Sequence, residues 1–386
     1  MPTTTAPNAS STVATALSVN VAAVMPVFLF GGLAVQIADE LHMSIGAIGL
    51  VAGLYFAASA VTAVPSGHVV ERFGAPNVAR LGVGLSAASM AAVAAFAHDP
   101  VTLTVLIVLG APANGLGQLS SNAVLSNWAP RRHKGLAFGA KQASVPLCTM
   151  LAGLSVPAIA LTLGWRWAFV AGAAVALLAL IPLIGLGRPE LPRRVGNGRA
   201  FDRRLLVFAA ATCLGALGAT PLGSFLTTYA VDIGASESFA GLNLTIGGLA
   251  GVVARTAVGA LVDRRGGGEL GIIVVMLAGG GAGIGALMVG ETWLLPLGTA
   301  AAFALGWAWP GLMNFAVTNR YSDTPAAATS ITQTGVYAGG AIGPIAFGLI
   351  VDNTSWNTGW SVSIAAMVLA AVCIVIGARL SGGQGR

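Results

Sequence analysis

Charge is what this sequence lacks most. Only 8% of its 386 residues are Asp, Glu, Lys or Arg, against roughly 25% in an ordinary soluble domain, so it cannot clothe a water-facing surface. Acid is scarcer than base: 13 Asp and Glu face 19 Lys and Arg, and no acid sits deep inside an apolar stretch. A pathway for cations is therefore without its usual carboxylate. The four histidines, His42, His68, His98 and His133, are scattered in loops or at stretch ends, and Cys148, Cys213 and Cys373 lie singly inside apolar stretches. Neither set has metal-ligand spacing, and no Ser or Cys nucleophile stands near a base, so no cofactor or metal is expected and a membrane enzyme is the weakest class. The cysteines read as small buried hydrophobes.

What is present is apolar: 56% of the chain. Stretches of about 18 to 26 apolar residues recur from end to end, each long enough to cross roughly 30 Å of hydrocarbon at about 1.5 Å per residue. There are twelve, from Val13 to Ile37 at the start to Trp360 to Gly377 at the finish. Barrel strands would instead be about ten residues long and alternate in polarity. The fold class expected is an all-α integral membrane protein. No Lys or Arg precedes the first stretch, which is too long for a signal-peptide core, so a retained span is expected there.

The net charge of +6 invites a nucleic-acid reading, and its placement dismisses it. All Lys and Arg except Lys141, Arg166 and Arg255 fall on one face of a twelve-span arrangement; the other carries Asp39, Glu40, Asp99, Asp232, Glu237, Glu291 and Asp352. The basic face is expected to be cytoplasmic, with both termini on it. A composition rich in Ala, Gly and Val suggests a bacterial plasma membrane. A monomer in the lipid bilayer, with a small solute as its partner, is expected.

Residues 188–204, rich in Arg, Pro and Gly, read as a cytoplasmic linker between an N-terminal six-helix bundle, 1–187, and a C-terminal one, 205–386. The halves echo each other. Gly67, Glu71, Arg72 and Gly74 recur as Gly259, Asp263, Arg264 and Gly266 at a constant offset of 192, which also carries Asn122 to Asn314 and Asn127 to Asn319. Duplicated units of this kind build carriers whose solute site lies between the halves, near mid-membrane.

On these residues the chain resembles the major facilitator superfamily, from the first span to the last. The family's loop after the second span reads Gly, three residues, Asp, a basic residue, one residue, Gly; here it is Gly67-His-Val-Val-Glu71-Arg72-Phe73-Gly74, and again Gly259-Ala-Leu-Val-Asp263-Arg264-Arg265-Gly266. The resemblance implies twelve transmembrane helices in two pseudo-symmetric six-helix bundles. It also implies a gating role for these glycines and charges, the glycines packing helices closely and the acid and base locking one conformation. The first copy departs, with Glu71 for Asp and no trailing basic residues. Arg131-Arg132-His133-Lys134-Gly135 and Gly164-Trp165-Arg166-Trp167 also look like family loops, with Trp165 and Trp167 expected at the outer interface. Two signatures are missing. The fourth span has Ala111 where the family places an Arg, although Asn114 and Gly117 fit, and the fifth has Ala143-Ser144 and Leu147-Cys148 where drug antiporters have Gly-Pro and Gly-Gly.

Two cations lie inside apolar stretches, and intramembrane charge is a functional candidate by default. Arg255 stands eight residues before Asp263, roughly 12 Å into the membrane; it either binds an anion or makes a structural pair or helix-end contact. The segment Ala254 to Gly259 is similar to the eighth-span region of monocarboxylate and oxalate porters, which implies a carboxylate-binding role for Arg255. Lys141 is shallower and could snorkel, but the offset maps it and Gln142 onto Gln333 and Thr334, so all three long polar side chains are cavity candidates. Asn20 in the first span, Asn114, Gln118 and Asn122 on one face of the fourth, Asn314 in the tenth and Tyr337 in the eleventh complete the candidate set; Gln36 and Asn243 are further polar positions. Interhelical hydrogen bonding is the alternative for each. Tyr229 reads as an interface anchor. Together these residues suggest a secondary transporter of a small organic anion such as a carboxylate, working by alternating access and open to proton coupling. Drug or hydrophobic-metabolite export is the alternative.

Overall fold

The computed structural model describes residues 9–128, 134–184, 202–265, 267–321 and 324–380. The basic run Arg131 to His133, most of the 188–204 linker and Gly266 lie outside them. Among the described residues there is no strand, and twelve helices are long and apolar enough to cross a membrane. Spans 1 to 6 are Ser11–Gly32, Ile45–Ala63, Ala75–Phe96, Pro100–Leu125, Gly139–Leu163 and Trp165–Leu183. Spans 7 to 12 are Arg203–Asp232, Glu237–Val262, Glu269–Leu287, Leu295–Arg320, Ala328–Asn353 and Trp356–Arg379. The helical form follows from the medium: with no water in hydrocarbon, each backbone N–H and C=O must find its partner within its own segment.

Polar caps set several ends. Ser44 accepts from the Ala47 amide, Asp99 from Val101 and Thr102, Asp202 from Arg204 and Leu205, and Ser355 from Thr358, each satisfying amides that the first turn leaves free. Between spans 2 and 3 the chain turns on Gly74 at φ 82°, a left-handed conformation that glycine adopts without a Cβ penalty.

Five spans are interrupted, spans 4 and 6 by turns at residues 110–111 and 179–180. Span 1 stops at a turn on Leu33 before a short helix, Ala34–Leu41. Span 5 has a turn at Ala143 and a wide π turn at Val156–Ala160. Span 10 passes through a π turn at Ala302–Gly306, runs non-helically through 307–309, and resumes at Pro310.

The first six spans meet the last six along two long seams, span 2 against span 11 and span 5 against span 8, with span 1 against span 7 between them. The seams are tight toward the acidic face. Gly49 lies so close to the Pro344 carbonyl, and Gly31 to that of Gly223, that neither position has room for a methyl group. Polar ties reinforce them there: the Gly46 amide donates to Asp352 Oδ2 at 2.8 Å, Gln36 Nε2 to Glu237 Oε2 at 2.6 Å, and Thr227 Oγ1 to the Gly31 carbonyl at 3.1 Å. Toward the basic face Gly67 has open space within 4 Å of where a side chain would start. The close helix packing expected at Gly67 is therefore not made in this conformation.

Two aromatic residues at the acidic ends of their spans are buried against protein. Trp165 is buried because its indole N–H donates to Glu40 Oε2 at 2.7 Å, while Trp167 stays exposed. Tyr229 is buried too, donating to the Leu287 carbonyl and packing on Trp356 and Trp360. An amphipathic ring seeks the interface only when no internal acceptor meets its polar tip. Of the cysteines, Cys148 is fully buried and Cys213 and Cys373 are half-covered.

Candidate functional site

Span 8 runs from the acidic face to the basic one, and helical side chains lean toward the N-terminus of their helix. Arg255, seven residues before Val262 and thus roughly 10 Å inside that end, is aimed further into the membrane. It is 5% exposed. Its Nη1 donates to the Gln142 carbonyl of span 5 and its Nη2 to the Trp307 carbonyl of span 10, the latter at 2.6 Å, while Nε has no partner.

Both acceptors lie at breaks in their helices. The amide that would close a helical bond to the Gln142 carbonyl belongs to residue 146, which is proline and has none. The Trp307 carbonyl lies in the non-helical step before Pro310. Two buried carbonyls left free by the chain's own punctuation thus converge on one guanidinium, which bridges span 5 of the first half and span 10 of the second.

Lys141 does not snorkel. It is 1% exposed, and its Nζ donates to Gln118 Oε1 on span 4. The two cations repel each other, and neither is matched by an acid, since no Asp or Glu lies more than one residue inside the end of any span. Asn20 Nδ2 donates to Ser144 Oγ and Asn114 Nδ2 to Ser59 Oγ at 3.3 Å, leaving both amide oxygens buried and unpartnered. Lys141, Gln142, Gln118 and Asn20 are thus gathered around the turn at Ala143. Asn122 and Asn314 are half-buried on spans 4 and 10. Gln333 and Tyr337, one turn apart on span 11, hydrogen-bond to each other, with the tyrosine buried. Asn243 donates to Thr299 Oγ1 at 2.8 Å, an interhelical bond within the second half.

A narrow cavity opens beside Arg255 between spans 5, 8 and 10. Its polar lining is Arg255 and Gln142; Val258, Val262, Ala308, Leu312 and Phe315 form the walls, and Gly139, Gly259 and Gly311 the floor. On the acidic side of Arg255 the Trp307 ring packs on Phe28 of span 1 and Phe303 of span 10, at centroid distances of 5.6 and 5.3 Å.

The loop charges are less engaged. Glu71 and Arg72 are exposed and form no ion pair among the described residues; Arg72 lies 5.4 Å from the Phe73 ring centroid. Gly259 packs near Gly139, Arg264 is exposed, and the Asp263 side chain and Gly266 lie outside the described residues. Ion pairs among the described residues include Arg166 with Glu40 at 2.6 Å on the acidic face and Arg320 with Glu269 at 3.7 Å on the basic face. Partial burial raises the Glu40 carboxyl, but hydrogen bonds from Arg166 and Trp165 outweigh it and hold the group below its usual range. At the basic end, burial and the Asp202 acceptor push the Tyr321 hydroxyl up to about 12.

Sequence reasoning missed Ser144, Ser59 and the two carbonyls. The serines carry no signal of their own, whereas Pro146 marks the Gln142 carbonyl.

The family model described as Major Facilitator Superfamily matches residues 16–208 and 208–382. An uncharacterized MFS-type transporter of Mycobacterium tuberculosis is 28% identical over 229 residues, 56% of this chain and 51% of that protein. A quinolone resistance transporter of Acinetobacter baumannii is 32% identical over 148 residues, 35% of this chain and 32% of that one. The chain thus spans about half the length, or less, of these curated relatives. With the family model covering nearly all of the twelve-span bundle, the chain belongs to the Major Facilitator Superfamily, a family of transporters rather than enzymes.

Proposed function

We propose that this chain is a secondary transporter of a small organic anion, a carboxylate in the first instance, working by alternating access between halves 1–187 and 205–386 joined by residues 188–204. One observation carries the reading: Arg255 and Lys141 are both buried and hydrogen-bond only to neutral oxygens, in a bundle whose span interiors contain no acid. A cation in low dielectric without an opposite charge is strongly unfavourable, and a carrier meets that charge with its cargo. The likeness of Ala254 to Gly259 to monocarboxylate and oxalate porters points the same way. Arg255 binds the charge; Lys141, Gln142, Gln118, Asn20, Asn114, Asn122, Asn314, Gln333 and Tyr337 line the route; Gly67, Glu71, Arg72, Gly74, Gly259, Asp263, Arg264 and Gly266 serve its gates. The chain acts as a monomer in a plasma membrane with its basic face and both termini in the cytoplasm. The test is counterflow in proteoliposomes with matched solutes bearing a carboxylate, an amide or an ammonium group. Exchange of the carboxylate alone is expected, and preference for the ammonium solute would refute the reading.

Export of drugs is a second reading, favoured by the similarity to the quinolone resistance transporter and by the aromatic group Phe28, Trp307 and Phe303. A change in drug susceptibility on deletion, without any carboxylate exchange in vesicles, would favour it.

A further inference from the structure

A groove runs down the lipid-facing side of the first half, where spans 3 and 6 pack together. Ala91, Ala94 and Ala95 form one wall, Val170 and Ala173 the other, and Arg166 and Trp167 stand at its mouth on the acidic face. Its volume is about 370 Å³, within the roughly 300 to 1,000 Å³ of small-molecule sites. From Arg166 to Ala173 the helix runs about 10 Å, some two-thirds of one leaflet of a roughly 30 Å hydrocarbon core. Alanine leaves the hollow, while Phe96 and Trp167, at the same ends of the two spans, are largely exposed. An apolar trough of that depth, open sideways to hydrocarbon and polar only at its mouth, has the form of an acyl chain hanging from a head group.

The mouth holds charge of both signs. Arg166 Nη1 donates to Glu40 Oε1 at 2.6 Å and Nη2 to the Ala97 carbonyl at 2.7 Å, while Nε has no partner. The guanidinium carbon also lies 4.3 Å from the Trp165 ring centroid. The arginine is thus fixed in place with N–H groups to spare. Both members of the ion pair stay within reach of a head group, the Arg166 side chain being 27% exposed and that of Glu40 47%. A purely anionic head would meet Arg166 but also Glu40, its neighbour Asp39, and Asp99, which follows Ala97 by two residues. A head that carries phosphate and ammonium together meets each charge with its opposite.

We propose that this groove seats one acyl chain of a zwitterionic phospholipid from the leaflet at the acidic face, its phosphate on Arg166 and its cationic end beside Glu40. The site is separate from the solute route and holds whichever solute is carried. The short helix Ala34–Leu41 carries Glu40 and also Gln36, which donates to Glu237 of the second half. The lipid therefore touches the element that ties the halves together at that face.

The experiment is native mass spectrometry of the full chain, released from detergent and titrated with dioleoyl phosphatidylethanolamine, phosphatidylcholine or phosphatidylglycerol. Wild type, Arg166→Gln, Ala95→Phe and Val275→Phe are compared. Ala95 is exposed, so phenylalanine there fills the groove without entering the interior, and Val275 is a lipid-facing control on span 9. In wild type the first molecule of either zwitterionic lipid should bind about fivefold more tightly than phosphatidylglycerol, the worth of one half-exposed ion pair. Arg166→Gln should erase that preference, Ala95→Phe should weaken the first binding step for all three lipids, and Val275→Phe should change neither. If Arg166→Gln does not fold, the wild-type preference and the Ala95→Phe arm decide. Phosphatidylglycerol binding as tightly as the zwitterionic lipids, or Ala95→Phe binding them as wild type does, overturns the proposal.

Discussion

Replacing Arg255 with methionine keeps roughly the length of the side chain and removes its charge and all its donors. Two opposing terms act on the empty protein. The Gln142 and Trp307 carbonyls lose their donor, at about 1 to 3 kcal/mol for each buried group left unsatisfied. Against this, a buried cation with no carboxylate beside it is gone, and its residual desolvation penalty is itself several kcal/mol. The net change in stability is small, about 2 kcal/mol or less in either direction, and the variant is expected to fold. Binding has no such compensation. Removing one partner of a buried charge pair weakens an association by about 2 to 5 kcal/mol; at about 3 kcal/mol the dissociation constant rises roughly 150-fold. At a carboxylate concentration one hundred times the wild-type Kd, the ligand stabilises wild type by about 2.7 kcal/mol and the variant by only about 0.3 kcal/mol. Thermal unfolding of detergent-purified protein followed by tryptophan fluorescence resolves that difference, as a shift of several degrees that nearly vanishes. The reasoning is refuted if folded, monodisperse Arg255→Met retains more than half of the wild-type ligand-induced shift.

Pro146→Ala restores an amide to span 5, lets the Gln142 carbonyl close its helical bond and releases one of the guanidinium's acceptors; anion affinity should tighten by up to about tenfold, the worth of one such bond, and an unchanged or weaker affinity would count against the carbonyl's role. Glu40 is held below its ordinary value of 4.5, so its pairing with Arg166 and Trp165 contributes stability that is present above about pH 4.5 and lost as pH falls through the lower folded value. The melting temperature of wild type should therefore decline below pH 4.5 more steeply than that of Glu40→Gln, and parallel profiles would exclude the contribution. At Gly49 a side chain would run into the Pro344 carbonyl, so Gly49→Val should part spans 2 and 11. In protein with Cys148, Cys213 and Cys373 replaced by serine, a cysteine at Ala341 should then react severalfold faster with a membrane-impermeant maleimide, and no acceleration would mean that the seam is not held there.

Length and apolarity made the twelve spans legible, since a run of 18 or more apolar residues has few other uses. Their ends were less so, for identifiable reasons. Span 3 begins as early as Ala75 because Pro76 is tolerated in a first helical turn. Span 12 was expected from Trp360 and begins at Trp356 under the Ser355 cap, with polar Asn357 and Thr358 inside the helix but outside the apolar run. Span 1 was carried to Ile37 and stops at Gly32, where nothing marks the turn except the pair Gly31-Gly32. The depth of Arg255 followed from its spacing to Asp263, and its aim from the direction of its helix. Its partners did not follow, because a backbone carbonyl has no sequence letter; only a proline four residues downstream betrays one. Lys141 could not be resolved at all from sequence, since snorkelling and burial are both open to a lysine near a helix end until the position of Gln118 is known.

The shortage of acid and the breaks in spans 5 and 10 are connected. Had span 5 or span 10 supplied an Asp to Arg255, the cation would be neutralised by a tethered carboxylate whose effective concentration no free solute could match. A carbonyl is a weaker partner than a carboxylate, because hydrogen bonds between two ionised groups exceed those in which only one is ionised. Carbonyls at the breaks in spans 5 and 10 therefore give the guanidinium enough hydrogen bonding to stay buried in the empty protein, yet yield to an ionised ligand. Because the Gln142 carbonyl belongs to span 5 and Arg255 to span 8, that exchange also removes a bond between the halves. On the proposed reading, the event that seats the anion is the same one that unties spans 5 and 8, which couples occupancy to movement.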